Sequence, residues 1–387
     1  MKEFVFHNPT KIIFGNDSTA KFGEHAKDLG KKALFVYGQN SIKKSGLYDE
    51  IVRQLNEHNI SFIEHEGVKS NPTLEHTRDG VKKVLENGID FIVAIGGGSV
   101  LDEAKAIAAS SASKVDAWDI FTQKEKITKA LPLITVLTLP ATGSEMNGNM
   151  VITNTETKEK FGLGNPLLYP RVSILNPVLT NTIPLKNTAY SVVDIVSHLT
   201  ESYFNNEGGD TSLQERYVQG LSKTIIEASY KVMKNPEDNE GRATIMWGAT
   251  LGWNGLNTAG IGHFSMPCHM LEHPLSAIYD IAHGAGLSIV TPAWLSNHVE
   301  TKTKKIAQFG REVFGVEEKD DKKAAISGIE KLKAWYKDIG APTSFNEAGI
   351  SNPDVDFIVK LVMESVRLRG TKGLDEPLIR KIYQDCL

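Results

Sequence analysis

Residues 90 to 113 read DFIVAIGGGSVLDEAKAIAASSAS, an apolar β-rich run that stops at three glycines and passes directly into a helical pattern. A continuous apolar strand of this kind is buried on both faces, which favours a parallel sheet covered by helices. Gly97 and Gly98 remove Cβ atoms that would block a pyrophosphate, and a helix beginning near Ser99 and Asp102 offers free N–H groups and a positive dipole end. The turn departs from GxGxxG and lacks the lysine of a P-loop, so a structural strand-to-helix turn is the competing explanation.

The rest of the first half has the same texture. Strands are expected at KALFVYG ending at Gly38, SFIEHEG near 61–66, LPLITVLTLP near 133–138 and VSILN near 172–176, with helices over GLYDEIVRQLNEHN and NPTLEHTRDGVKKVLENG. This alternation predicts an α/β, Rossmann-like dinucleotide-binding domain over 1–180, with ligands at the carboxyl ends of the strands. After the KALFVYG strand, Gly38, Gln39, Asn40 and Ser41 supply no acid for a ribose 2′-hydroxyl, and Lys43 and Lys44 follow. That favours NADP over NAD, unless the lysines are simply a solvated pair. Thr138, Thr142 and Ser144 in TLPATGSEMNGNMVI could line a phosphate or nicotinamide path, although such loops are common without a ligand.

Composition excludes other classes. With 43 basic and 47 acidic residues the formal charge is −4, which gives no basis for nucleic-acid binding. The longest apolar runs fall short of the roughly 20 residues that span a bilayer. The amino terminus, MKEFVFHNPTKIIFG, lacks the apolar core of a signal peptide, and two cysteines make no disulfide framework, so a cytoplasmic protein is expected. Cys268 abuts His269, but adjacent helical residues point about 100° apart, which argues against it as a ligand.

Pro177 and Pro184 bracket a linker, and residues 185–387 carry helical spacing with few strand signals, an all-helical second domain. Four of the 11 histidines, His263, His269, His273 and His283, fall between residues 263 and 283. Burying several imidazoles without a partner would leave polar nitrogens unpaired, so a metal is indicated. A carboxylate is available upstream, where Asp194 and His198 are four apart and would share a helix face. With His269 and His283 they make one carboxylate and three imidazoles, a set suited to Fe(II) or Zn(II) with room for a substrate oxygen. His273, one turn beyond His269, is a candidate for proton delivery or substrate orientation, and His263 has no assigned role.

GGGSVLD, ATGSE, the Asp194/His198 pair and H-x3-H-x9-HG stand in the order found in the iron-containing (group III) alcohol dehydrogenases. The chain resembles that family over essentially its whole length, most of all the NADPH-dependent aldehyde reductase and butanol dehydrogenase branch. The resemblance implies a dehydroquinate synthase-like two-domain fold. It also implies a metal between the domains on Asp194, His198, His269 and His283, and His273 near the nicotinamide. Gly97, Gly98, Ser99 and Asp102 match the pyrophosphate turn, and Asn71, Thr138, Thr142 and Lys160 match positions lining the cofactor. The family's NAD-selecting Asp falls at Gly38, beside Ser41. Hydride transfer between NADP(H), or NAD(H), and a small uncharged alcohol or aldehyde is the implied reaction, in a protein that is often a homodimer. The alternatives are a dehydroquinate-synthase-like lyase, a glycerol-phosphate dehydrogenase, or a non-catalytic metal- and nucleotide-binding relative. The phosphorylated substrates of the first two call for clustered Lys and Arg near the ligands. Phe264, Met266, Met270, Leu271, Leu275, Ile278 and Tyr279 stand there instead.

Overall fold

In the computed structural model, which describes residues 1–387, the apolar runs of the first half become strands. They are β1 (Lys11–Phe14), β2 (Lys32–Tyr37), β3 (Ser61–His65), β4 (Phe91–Gly97), β5 (Leu133–Leu139), β6 (Asn149–Asn154), β7 (Glu159–Gly164) and β8 (Val172–Leu175). Six form one parallel sheet in the order β1-β8-β5-β4-β2-β3, and β6 and β7 pair separately as an antiparallel hairpin. The helices of this unit are α1 (Phe22–Ala26), α2 (Ser41–Lys44), α3 (Leu47–Glu57), α4 (Leu74–Asn87), α5 (Gly98–Ser113) and α6 (Ala117–Phe121). β4 is fully buried from Phe91 to Ile95, as expected of a central strand covered on both faces. From β2 the chain moves outward to β3 and then returns to the other side of β2 as β4. Strand order therefore reverses between β2 and β4, and a reversal of this kind opens a crevice at the carboxyl ends of the two strands. The segments beginning at Gly38 and Gly96 lie at those ends.

β1 and the β6/β7 hairpin have no expected counterpart in the sequence. KIIF is four residues long, and NMVITN lies in a stretch whose Asn, Gly and Thr content reads as loop.

The helical unit comprises α7 (Leu185–Phe204), α8 (Ser212–Lys234), α9 (Asn239–Gly252), α10 (Pro267–Tyr279), α11 (His283–Asn297), α12 (Val299–Phe314), α13 (Asp321–Asp338), α14 (Val355–Arg369) and α15 (Glu376–Gln384). The two units are His7–Thr182 and Ile183–Leu387, the latter joined by Met1–Phe6. The first six residues, which the sequence places with the α/β half, thus belong with the helices; the Lys2 backbone N–H donates to the Gly260 carbonyl at 2.8 Å. α9 stops at Gly252, although its periodic pattern continues to Leu256, so Trp253 is freed from the helix. No helix is long and apolar enough to cross a membrane. Cys268 and Cys386 are both buried and unbridged, and Cys268 packs in the helical core.

Candidate active site

α7, α10 and the start of α11 bring together the four residues expected to hold a metal. Asp194 and His198 lie one turn apart in α7, His269 is in the first turn of α10, and His283 opens α11. His269 Nε2 is 3.2 Å from His198 Nε2 and 3.8 Å from Asp194 Oδ1, and His283 Nε2 is 3.7 Å from that same oxygen. Ligand atoms of a tetrahedral ion with bonds of about 2.1 Å lie about 3.4 Å apart, so these separations fit one cation. Asp194 Oδ1 is buried and makes no hydrogen bond, its nearest imidazole contact being His198 Nδ1 at 3.2 Å, and a cation would satisfy it. Zn(II) and Fe(II) both accept this donor set.

The far nitrogen of each imidazole is held by a second group. His198 Nδ1 is 2.9 Å from the Asp194 carbonyl, His269 Nδ1 is 2.6 Å from Glu201 Oε1, and His283 Nδ1 contacts Glu272 Oε2. A proton on each Nδ1 leaves each Nε2 lone pair facing inward, the tautomer a metal requires. Glu201 and Glu272, both buried, are functional residues that the sequence reasoning missed. The signal was present, since Glu201 follows His198 by three and Glu272 follows His269 by three, the same-face spacing of a helix.

Burial pushes the His198 imidazole down to about 3. Burial also works against charge on His269, but Glu201 and Asp194 outweigh it and raise His269 to about 9. Asp194 sits well below the usual carboxylate range, because the surrounding imidazoles overcome the desolvation of its charge.

His273 lies beside the cluster and outside the Asp194 group. Its ring centroid is 5.6 Å from that of His283 and 6.4 Å from that of His269, and it is half-buried. His263 is exposed and takes no part. Trp253, freed by the early end of α9, packs its ring 5.1 Å from His198, with Phe264 edge-on behind it at 6.0 Å. These two aromatics give the site an apolar wall.

In the α/β unit, α5 begins at Gly98 with no side chain capping it, so its first N–H groups have no side-chain acceptor. The glycines before it have a packing reason that the sequence did not show. A Cβ on Gly97 would lie 2.9 Å from Leu139 Cβ, and one on Gly98 would lie 2.4 Å from Thr142 Oγ1. The turn is thus built by close approach of the loop after β5. Asp102 is turned inward: its carboxylate accepts from Ser144 Oγ at 2.6 Å and from the Val151 N–H at 3.0 Å. Burial pushes its carboxyl up to about 6. From the glycine turn Asp102 thus fastens residues 142–151 to α5.

Ser99 donates to the Ser70 carbonyl, and Lys160 Nζ donates to Asn71 Oδ1 at 3.1 Å, which ties the 66–73 segment to α5 and to β7. Thr138 and Thr142 are half-exposed at the carboxyl end of β5 and just beyond it. Gly38 has room for a side chain, its nearest neighbours being 3.6 and 3.8 Å from a built Cβ, and Ser41 is exposed. Lys43 is less free than the sequence implies. Its ammonium is 2.9 Å from Glu66 and lies 5.1 and 5.2 Å from the Tyr37 and Tyr48 ring centroids.

Comparison with known proteins agrees with both halves of the chain. Residues 9–177 match the iron-containing alcohol dehydrogenase model, and residues 188–386 match the C-terminal model of the Fe-containing alcohol dehydrogenase family. The chain is 41% identical to the probable NADH-dependent butanol dehydrogenase 1 of Bacillus subtilis, with 100% of each sequence covered. It is 33% identical to the NADPH-dependent aldehyde reductase of Escherichia coli, with 99% of each covered. The crystal structure of NADH-dependent butanol dehydrogenase A from Thermotoga maritima superposes with a TM-score of 0.96 at 41% identity, covering 100% of this chain and 99% of that one. The chain is an oxidoreductase acting on CH–OH groups and belongs to the iron-containing alcohol dehydrogenase family.

Proposed function

We propose that the protein interconverts small, uncharged primary alcohols and aldehydes, using a nicotinamide dinucleotide and one divalent iron or zinc ion on Asp194, His198, His269 and His283. The observation that carries this reading is the approach of His269 and His283 Nε2 to the buried Asp194 Oδ1, with His198 Nε2 3.2 Å from His269 Nε2. When bound, the ion supplies Lewis acidity toward the substrate oxygen and the nicotinamide supplies or accepts the hydride. Glu201 and Glu272 hold His269 and His283 in the required tautomer, while Trp253 and Phe264 exclude water and favour an alkyl chain over a phosphorylated substrate. The uncapped start of α5 receives the pyrophosphate. Purified, metal-reconstituted protein mixed with butanal should consume the reduced cofactor, followed by nicotinamide absorbance. No consumption of either cofactor with Fe(II) or Zn(II), across several aldehydes, would sink the proposal.

His273 is the proposed carrier of the proton that the oxygen gains or loses, supported by its place beside His283 and its partial exposure. His273→Ala should keep its metal and lose about 10²-fold or more in kcat, the usual weight of general acid–base catalysis. Loss of metal from this variant would make His273 a ligand instead.

For the dinucleotide we propose use of both NADPH and NADH. The β2 end presents no carboxylate at Gly38 to repel a 2′-phosphate, and Lys43 is already engaged by Glu66 and so does not demand one. Gly38→Asp introduces a carboxylate where there is space for it. It should cut kcat/KM for NADPH by at least about tenfold, as repulsion of about 1.4 kcal/mol does, and leave NADH within about twofold. An unchanged NADPH/NADH ratio would show that the 2′-phosphate is read elsewhere.

A further inference from the structure

A second group of ligating side chains lies in the α/β unit, and it shares no residue with the Asp194 cluster. His65 ends β3, His76 is in the first turn of α4, and Glu103 is in α5. His65 Nε2 is 2.9 Å and His76 Nδ1 is 2.6 Å from the same oxygen, Glu103 Oε1. One ligand atom from each residue falls within 4.8 Å of the others. The two imidazole rings are stacked at 4.1 Å. Room for His65 is made by Gly80, where a Cβ would lie 3.0 Å from His65 Nε2 and 2.3 Å from Ile107 Cδ1.

The geometry points to a second divalent-cation site, of the Zn(II) class, formed by His65 Nε2, His76 Nδ1 and the Glu103 carboxylate. Two observations support it beyond the clustering. Glu103 is fully buried, and its second oxygen, Oε2, has no hydrogen-bond partner. A carboxylate satisfied by two imidazole N–H groups alone leaves that oxygen desolvated at a cost, whereas a cation can be held by either or both oxygens. The far nitrogen of His76 is also set as those at the Asp194 cluster are: His76 Nε2 is 3.0 Å from the Glu66 carbonyl, whereas His65 Nδ1 has the Lys83 ammonium at 3.4 Å and Asp79 Oδ2 at 3.7 Å. A carbonyl behind a ligating imidazole is a usual arrangement around a bound metal.

Lys83 is the other charge facing the group, 3.4 Å from His65 Nδ1 and 3.1 Å from Asp79. Against the desolvation of their charges, the carboxyls of Glu103 and Asp79 are both held below their ordinary range, by His65 and His76 and by Lys83 respectively, and two anionic groups suit a dication. Two imidazoles and one carboxylate leave a fourth position open to water, and half-exposed His76 provides the entry. A cation here joins β3, α4 and α5 at the base of the 66–73 segment that carries Asn71. Without a cation the cluster is a proton-linked Glu103/His76 pair, for Glu103 raises the His76 pKa, and this is the rival explanation.

Chelator-stripped full-length protein titrated with Co(II), read by visible absorption and by metal counting after gel filtration, separates the two. The wild type should take up two equivalents. His76→Ala and Glu103→Gln should each take up one, with the spectrum of the Asp194 site retained, and Asp194→Asn should also take up one. Zn(II) should raise the Tm of Asp194→Asn protein, and adding His76→Ala to that background should abolish the rise. A wild type that binds a single equivalent, or a His76→Ala protein that still binds two, would overturn the proposal. Because Asp194→Asn isolates the second site, this outcome is independent of whether the protein turns over an alcohol.

Discussion

Asp194→Asn protein, read in a His76→Ala background, is expected to purify without stoichiometric metal and to lose about 10³-fold or more in kcat/KM relative to His76→Ala, because Lewis-acid stabilisation of about 4 kcal/mol corresponds to that factor. The substitution keeps volume and shape, so the loss would come from the removed charge and the removed oxygen lone pairs. Asp194 Oδ1 is the atom around which His269 and His283 are spaced, at 3.8 and 3.7 Å. Glu201→Gln provides the contrast. Its amide oxygen can still accept from His269 Nδ1 and the His269 N–H, so the ring keeps its orientation, while the anionic support and the acceptor for the Cys268 N–H are lost. Metal affinity should fall by about 10–100-fold, and activity should return as metal is added. Elemental analysis together with activity against metal concentration checks both variants. Stoichiometric metal in the Asp194→Asn/His76→Ala protein would remove Asp194 from the ligand set. A Glu201→Gln enzyme that added metal cannot restore would show that Glu201 acts on something other than the metal.

The contrast between these two carboxylates also explains what the sequence revealed. Asp194 was legible because it stands four residues before a histidine and because three more imidazoles needed an anion. Glu201 and Glu272 follow the same spacing rule, but a lone glutamate on a helix normally faces solvent, and only the packing of α7, α10 and α11 buries these two. The central strands were legible for a related reason: double-sided burial writes itself as unbroken apolar runs such as FIVAI and LITVL. β1 carries no such run and is defined by its partner β8. Side-chain direction was the other hidden quantity. Asp102 follows a glycine turn, and its carboxylate also holds Ser144 and Val151, whose positions depend on a loop more than 40 residues away. The lysine pair at 43–44 could not be weighed correctly either, because the acid that engages Lys43 comes from the end of the neighbouring strand.

Gly284→Ala should dismantle the same metal centre without touching a ligand. A Cβ built on Gly284 lies 2.0 Å from the Tyr190 carbonyl oxygen and 2.7 Å from its carbon. The closest comfortable carbon-to-oxygen approach is about 3.3 Å, so α11 and α7 must separate by roughly 1.3 Å at this point. The obstruction is backbone and cannot rotate away. Tyr190 lies one turn before Asp194 and Gly284 directly follows His283, so the separation falls on the 3.7 Å gap between Asp194 Oδ1 and His283 Nε2. Metal bonds tolerate only about 0.2 Å, and the site should lose its ion. Overpacking of this kind costs about 1–3 kcal/mol, which lowers the Tm of a unit this size by roughly 3–10 °C. Gly220→Ala in α8, where an added Cβ meets nothing within 4 Å, serves as the control and should be neutral or stabilising by about 0.5–1 kcal/mol. Thermal melts and metal analysis of both variants give the answer. A Gly284→Ala protein with the wild-type Tm and full metal content would mean that the approach of α11 to α7 does not set the spacing of the ligands.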